Sequence, residues 1–184
     1  DGPLHPEGVH AVKPRKVEGS KSEVVPSAPQ GVPFTKAFGD ALNGLAERDL
    51  RVHAVTAAMV GGTGLSEFSE RFPSRFHDTG ITEQHAIGFC AGLAKAGLRP
   101  VAAIYSTFLQ RGYDQVFQEV ALQNLPVVLA LDRAGPVGQD GATHNGVFDL
   151  AYLRTLPNMV IGSPRDATDS RRMLEGLVVR DAPG

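Results

Sequence analysis

The chain has 184 residues, of which 42% are hydrophobic and 21% are charged, and its formal net charge is -2. This composition is typical of an ordinary globular domain and argues against a mainly disordered chain or a membrane protein. Because the near-neutral charge leaves no broad basic surface, we expect neither nucleic acid nor an anionic membrane as a partner. The single cysteine, Cys90, excludes an intramolecular disulfide and predicts a reducing, cytoplasmic location.

The first 33 residues differ in composition from the rest of the chain. They contain six of the 13 prolines and no aromatic residue, which is typical of an extended linker. Apolar residues then recur at helical spacing from Phe34 to Leu45, so we predict a folded domain over residues 34–184 that opens with a helix. Since the chain begins without methionine and ends in a turn-like sequence, we expect it to be part of a longer polypeptide.

Short apolar strands alternate with helical segments through this domain. Strands are predicted near residues 52–56, 76–78, 101–104, 127–131 and 159–162. Further helices are predicted near residues 65–72, 82–96 and 111–123, the second of them ended by Gly97. A last helix is expected to start at residues 163–166, with Ser163 as its cap.

This alternation predicts an α/β fold, with a mostly parallel sheet and helices on both faces. In such folds ligands bind beyond the carboxyl ends of the strands. The segments that follow Thr56, Asp78, Ile104 and Leu131 are therefore the ones that can carry a site.

The first informative segment places Glu83 in the opening turn of a predicted helix. A carboxylate there is often only a solvated residue that the helix dipole favours. Helical spacing, however, aligns Glu83 with an apolar row of Ile87, Cys90 and Ala94, which predicts an inward face. Partial burial disfavours the charged form of a carboxylate, so Glu83 is a candidate for proton transfer.

The second segment, after the third strand, carries two aromatic residues and a cation. Tyr105 and Phe108 could simply be core residues, as most aromatic residues are. Their position at the carboxyl end of a strand, next to Ser106, Thr107 and Arg111, favours stacking on a flat ring instead.

The third segment is the long loop of residues 132–146, which contains four glycines. A loop of this length inside a compact domain is usually functional or disordered. His144 could be a loop histidine bonded to the backbone, and Asp140 could be a turn former. Together with Arg133, they could also form an anion site and a proton-handling pair.

Several other kinds of site are not indicated. The chain has no Gly-x-x-x-x-Gly-Lys phosphate loop, no Gly-x-Gly-x-x-Gly turn and no Gly-x-Ser-x-Gly turn. The glycine-rich stretch at residues 61–64 matches none of them, and the six histidines lack the close spacing of metal ligands.

In order and spacing, the three segments resemble the pyrimidine domain of the 1-deoxy-D-xylulose-5-phosphate synthase family of transketolase-type enzymes. The resemblance begins near Phe34 and covers almost none of residues 1–33. Its most specific runs are Tyr-Ser-Thr-Phe-Leu-Gln-Arg at residues 105–111 and Asp-Gly-Ala-Thr-His-Asn-Gly at residues 140–146. The glutamate motif at residues 80–85 is also found in transketolases and 2-oxo acid dehydrogenases.

The resemblance implies a reaction and a cofactor. The reaction is condensation of pyruvate with D-glyceraldehyde 3-phosphate, with loss of carbon dioxide, to 1-deoxy-D-xylulose 5-phosphate, a precursor of isoprenoids, thiamin and pyridoxal. Glu83 would hydrogen-bond the aminopyrimidine of thiamin diphosphate and promote the imino tautomer that removes the thiazolium proton. Phe108 would stack on the pyrimidine.

The resemblance also implies roles for five other residues. Tyr105, Arg111, Asp140 and His144 would surround the pyruvate-derived group. Arg133 would help to bind the phosphate of the aldehyde.

The Gly-Asp-Gly motif with which the family holds Mg²⁺ and the diphosphate is absent from this sequence. The resemblance implies that another domain of the same enzyme supplies the metal ligands and that the enzyme is a homodimer. We therefore expect this chain alone to be inactive.

Two alternatives remain open. The chain could be the corresponding domain of a 2-oxo acid dehydrogenase beta subunit or of transketolase itself, although the run at residues 105–111 argues against both. It could also be a non-catalytic α/β binding module. Thiamin diphosphate binding by the assembled protein would separate the last reading from the others.

Overall fold

Helices and strands alternate from Phe34 onward in the computed structural model, which describes residues 31–137 and 140–184. The strands are β1 (Val52–Thr56), β2 (Phe76–Asp78), β3 (Arg99–Tyr105) and β4 (Val128–Asp132). The α-helices are α1 (Phe34–Arg48), α2 (Ser66–Arg71), α3 (Glu83–Lys95), α4 (Ser106–Leu109), α5 (Tyr113–Gln115), α6 (Asp149–Leu153) and α7 (Ala167–Val178). Short 3₁₀ turns cover Pro73–Arg75, Gln110–Gly112 and Ala142–His144, and a π-helical turn covers Val116–Ala121.

The four strands form one parallel sheet in the order β2-β1-β3-β4. Thr56 pairs with Asp78 on one side and with Ala103 on the other, and Tyr105 pairs with Asp132. The carboxyl ends of the strands therefore lie at one edge of the sheet. The predicted parallel α/β fold is confirmed.

Helices cover both faces of the sheet, because the strands are apolar on both sides. In β3, Ala102 and Ile104 belong to a core shared with α3 and the π-helical turn. Val101 and Ala103, which alternate with them, belong to a second core shared with α1, α2 and α7. This is the burial pattern expected of a strand covered on both faces.

The end of α3 follows the sequence prediction. Gly97 has a φ of +85°, and the N–H groups of Gly97 and Leu98 donate to the carbonyl groups of Ala94 and Leu93. Glycine suits this position because it takes the left-handed conformation without a Cβ penalty.

Two predictions about the last third of the chain are wrong. Residues 159–162 do not form a strand: Gly184 makes backbone hydrogen bonds with Val127 and with Leu129 of β4, while the Val160 N–H donates to the Pro183 carbonyl oxygen. The cap of α7 is Asp166, whose carboxylate accepts from the N–H of Asp169, and not Ser163.

The helical segment after β3 also differs from the prediction. It begins at Ser106, directly after the strand, and continues through short α, 3₁₀ and π turns to Ala121. The sequence predicted one helix over residues 111–123. Its early start places Phe108 and Arg111 on successive turns next to the sheet edge.

Two further expectations concern the linker and membrane-spanning helices. The predicted linker at residues 1–33 falls almost wholly outside the described residues and stays a prediction. Within residues 31–137 and 140–184, no helix is both long enough and apolar enough to cross a membrane.

Candidate functional site

The residues singled out in the sequence all follow the carboxyl ends of strands. Glu83 opens α3 after β2, Tyr105 ends β3, and Phe108 lies in α4. Arg111, Arg133, Asp140 and His144 lie in the turn after α4 and in the loop after β4. The sheet therefore brings segments far apart in sequence to one edge.

Glu83 is buried and forms an ion pair with Arg111. The Nη1 atom of Arg111 donates to Oε2 of Glu83 at 2.8 Å. Glu83 is 3% exposed, and the predicted apolar row of Ile87, Cys90 and Ala94 is buried behind it. A buried carboxylate needs a partner for its charge, and Arg111 supplies it from the solvent side.

Three rings form an aromatic cluster at the end of β3. The rings of Tyr105 and Phe108 are stacked, with centroids 5.8 Å apart and planes 9° apart. The imidazole of His144 meets Phe108 edge-on at 5.2 Å and Tyr105 at 6.2 Å. The cluster therefore joins α4 to the loop after β4, in which His144 lies.

Arg133 lies over this cluster and between two carboxylates. Its guanidinium carbon is 4.8 Å from the centroid of the Tyr105 ring. Its Nε donates to Asp140 at 2.9 Å and its Nη1 to Asp132 at 3.1 Å. Burial raises the pKa of the Tyr105 phenol, and the positive charge of Arg133 opposes that shift. The result is a cation held by an aromatic face and two acidic side chains.

The predicted site residues thus fall into two groups. Glu83 and Arg111 form one pair, and Tyr105, Phe108, His144, Arg133 and Asp140 form a contact network. Phe108 and Arg111, three residues apart on one helical segment, connect the two groups.

A family model described as the transketolase pyrimidine binding domain matches residues 30–184. The chain belongs to this family. It is 54% identical over 179 residues to 1-deoxy-D-xylulose-5-phosphate synthase 1 of Geobacter sulfurreducens, covering 97% of this chain and 28% of that relative. It is 59% identical over 165 residues to 1-deoxy-D-xylulose-5-phosphate synthase of Aquifex aeolicus, covering 90% of this chain and 26% of that relative. The chain therefore spans about a quarter of the length of these curated relatives.

Solved structures agree with this assignment of the pyrimidine-binding domain. A split gene transketolase, described as an inactive beta4 tetramer, has a TM-score of 0.74 and 31% identity, covering 84% of this chain and 50% of that one. Transketolase from Leishmania mexicana has a TM-score of 0.75 at 22% identity, covering 86% of this chain and 25% of that one. The second likeness supports the fold alone.

Sequence reasoning missed two polar residues of the pyrimidine-binding domain that support Arg133. Asp132 accepts hydrogen bonds from the Arg133 backbone at 2.7 Å and from its side chain. Its other oxygen accepts from the Thr35 hydroxyl at 2.7 Å. Asp132 could have been noticed as a carboxylate at a strand end, but the sequence offers no signal for Thr35, 97 positions away.

The glycine-rich stretch at residues 61–64 also has a structural use that its sequence did not indicate. A Cβ atom at Gly62 would collide with the hydroxyl group of Tyr105. The loop after β1 therefore passes directly against Tyr105, and a side chain at position 62 would have to displace the phenol.

Proposed function

We propose that this chain is the pyrimidine-binding part of an enzyme that condenses pyruvate with D-glyceraldehyde 3-phosphate, with loss of carbon dioxide, to 1-deoxy-D-xylulose 5-phosphate. The observation that carries the proposal is that the sequence runs that resemble the family meet at one edge of the sheet. The chain is also 54–59% identical to two enzymes named 1-deoxy-D-xylulose-5-phosphate synthase. The enzyme would be a transketolase-type transferase, supplying a precursor of isoprenoids, thiamin and pyridoxal.

The residues present fit the aminopyrimidine end of thiamin diphosphate. Glu83 uses Oε2 for Arg111, and its Oε1 makes no hydrogen bond within residues 31–137 and 140–184. That oxygen can therefore bond a ring nitrogen, where Glu83 would hold or release a proton. Phe108, half-buried, offers an apolar surface for a flat ring. When bound, thiamin diphosphate supplies the nucleophilic carbon for attack on pyruvate.

The loop after β4 would receive the two substrates. Arg133 presents a forked cation, which suits a phosphate group, and we assign it to the phosphate of D-glyceraldehyde 3-phosphate. Tyr105, Asp140 and His144 would contact the pyruvate-derived portion, together with Arg111. The contacts of Arg133 with Tyr105 and Asp140 support this shared location.

The metal half of the cofactor site would lie outside this chain. Within the described ranges, no group of three or more His, Cys, Asp or Glu side chains is arranged to hold a metal ion. Mg²⁺ prefers carboxylates and phosphate oxygens as ligands. We therefore propose that another domain of the same enzyme holds Mg²⁺ with the diphosphate.

We further propose a cytoplasmic homodimer. The single cysteine, Cys90, is a buried free thiol, which suits a reducing compartment. The remaining domains of the enzyme and the two small-molecule substrates would be the main partners of this chain.

An activity assay of the complete protein tests the proposed function. With pyruvate, D-glyceraldehyde 3-phosphate, Mg²⁺ and thiamin diphosphate, we expect 1-deoxy-D-xylulose 5-phosphate by mass spectrometry and none when thiamin diphosphate is omitted. Ketol transfer from a ketose phosphate without use of pyruvate would indicate a transketolase instead. Acyl transfer to a lipoyl group would indicate a 2-oxo acid dehydrogenase.

A further inference from the structure

A buried polar pair lies beneath the loop after β4. The hydroxyl of Ser106 donates to Oδ2 of Asp149 at 2.8 Å, and the two residues are 1% and 7% exposed. Ser106 is the first residue after β3, and Asp149 is the first residue of α6. The pair therefore joins the segment that carries the aromatic cluster to the segment that ends the loop.

The loop chain passes directly over this pair. A Cβ atom at Gly146 would collide with the Ser106 side chain and would lie 2.6 Å from the Arg133 carbonyl oxygen. The backbone of Gly146 exchanges hydrogen bonds with Gly135, at 2.7 and 3.1 Å. Both ends of the loop are thus pinned together on top of Ser106.

Further contacts join the same two segments nearer the site. The Thr107 hydroxyl donates to the Thr143 carbonyl oxygen at 3.1 Å, next to His144, whose imidazole contacts Phe108. The Ser106 pair is the only one of these contacts with both side chains buried. A buried hydrogen bond to a carboxylate is stronger than an exposed one between neutral groups.

We infer that the Ser106–Asp149 hydrogen bond is the positioning contact that holds residues 133–137 and 140–146 of the loop after β4, so that Asp140 and His144 stay beside Tyr105 and Phe108. Neither residue touches a reacting group; each acts through the loop. The inference rests on the proposed function only where it concerns catalysis.

The loop itself provides the first test, by hydrogen exchange in the complete enzyme. Ser106→Ala should raise amide exchange in loop residues 135–137 and 140–146 by about tenfold or more, since a buried bond to a charged group is lost. Exchange in β1 and β3 should stay unchanged. Thr56→Val is the matched control, because it removes a buried hydroxyl bond to Ala103 at 2.9 Å without contact to the loop.

Rescue and coupling separate positioning from general destabilisation. Asp149→Ala should raise loop exchange at least as much as Ser106→Ala, because it also removes the oxygen that accepts from the Leu150 N–H at 2.7 Å. Asp149→Asn keeps a polar partner of the same shape for Ser106 and should stay within about threefold of wild type. The double variant Ser106→Ala/Asp149→Ala should lose little more than Asp149→Ala alone, as expected if Ser106 acts through its contact with Asp149.

Kinetics provide the catalytic readout. Ser106→Ala should lower kcat about tenfold while Thr56→Val leaves kcat near wild type, although both variants lose a buried hydrogen bond. The inference is overturned if loop exchange in Ser106→Ala equals that of wild type or of Thr56→Val. If the complete enzyme makes no 1-deoxy-D-xylulose 5-phosphate, the proposed function fails, and the exchange data still decide the inference.

Discussion

Two arginine–carboxylate pairs lie at the same edge of the sheet, and they differ in which partner is buried. In the first pair, the side chain of Glu83 is 4% exposed and that of Arg111 is 51% exposed. In the second, Arg133 and Asp140 are both accessible, at 30% and 37%, and Asp132 is an additional acceptor for the same arginine. In the first pair, Arg111 stabilises the buried carboxylate of Glu83. In the second, Arg133 contacts two accessible carboxylates, and either contact can be replaced.

The difference teaches how the two halves of the site can work. Removing Arg111 would leave a buried charge without its partner, which is costly. An exposed pair such as Arg133 with Asp140 contributes only about 0–1 kcal/mol, so an incoming phosphate can replace Asp140 on the guanidinium at little cost. We therefore expect Glu83 to be held for proton transfer and Arg133 to be available for substrate.

The largest expected effect comes from testing this chain in isolation, without the other domains of the complete enzyme. Both pairs should remain, yet the 184-residue chain should show no turnover and no tight binding of thiamin diphosphate, because the described residues offer no metal site beside a diphosphate. Isothermal titration calorimetry with the cofactor and Mg²⁺ measures the binding affinity, and an activity assay measures turnover. Micromolar affinity would mean that the two pairs suffice for binding.

Glu83→Gln in the complete enzyme should be next in size. Glutamine keeps the shape of the side chain but cannot exchange the proton, and a positioned acid or base contributes about 10²- to 10⁴-fold in rate. The measurements are turnover and proton exchange at the thiazolium carbon of bound cofactor. Normal values for both would reduce Glu83 to a helix-start carboxylate.

A matched control for that variant is Glu67→Gln. Glu67 also forms an ion pair with an arginine, Arg71, at 3.0 Å, but its side chain is 56% exposed on α2. Its replacement should leave turnover unchanged. The contrast isolates the effect of burial at the sheet edge from the effect of losing any ion pair.

Arg133→Ala should have a smaller and more selective effect. Charge-assisted hydrogen bonds contribute about 1.5–3 kcal/mol, so the KM for D-glyceraldehyde 3-phosphate should rise roughly 10- to 100-fold while that for pyruvate changes little. Steady-state kinetics with each substrate varied in turn measure both. Equal losses for the two substrates would indicate that Arg133 only supports Tyr105 and the loop. Arg165→Ala, at an exposed pair with Asp166, is the control.

The smallest effect concerns a pair of histidines on neighbouring strands. His53 and His77 have ring nitrogens 3.0 Å apart on β1 and β2, so one must donate and the other accept. Burial lowers the pKa of both, and in His53 the neighbouring His77 and Arg75 lower it further. A folded pKa below the unfolded value means that stability is complete above about pH 6.5 and declines as the pH falls through the folded pKa.

We therefore expect β2 to open more readily at acid pH. Hydrogen exchange of the amides of Phe76–Asp78, corrected for its intrinsic pH dependence, should show protection declining below about pH 6.5. His53→Gln should flatten that decline. His85→Gln, which changes an exposed imidazole, should leave it as in wild type; an equal change in both variants would contradict the role of the pair.

The burial of Glu83 could be predicted from the sequence, whereas the contacts made by the loop after β4 could not. Helical spacing alone indicated that Glu83 lies on a buried face, because a helix repeats every 3.6 residues. No such period governs residues 132–146. The contacts that surround this loop, of Asp132 with Thr35 and of Ser106 with Asp149, span 97 and 43 positions. Such contacts depend on how the sheet assembles.

The two wrong predictions in the last third of the chain have the same kind of cause. Residues 159–162 have strand propensity, but the backbone groups of Val127 and Leu129 bond to Gly184 instead. Ser163 and Asp166 are both suitable cap residues, and the structure uses the second. In each case local preference allowed two outcomes, and competition between distant or neighbouring groups selected one.

The close approach of Gly62 to Tyr105 should leave a trace in mutational tolerance. Any side chain at position 62 must displace the phenol, so a deep mutational scan of the complete enzyme should accept almost nothing but glycine there. Tyr105→Phe removes the atom that a Cβ would strike first and should partly restore alanine at position 62. Positions 62 and 105 are then expected to vary together, although 43 positions separate them in the sequence.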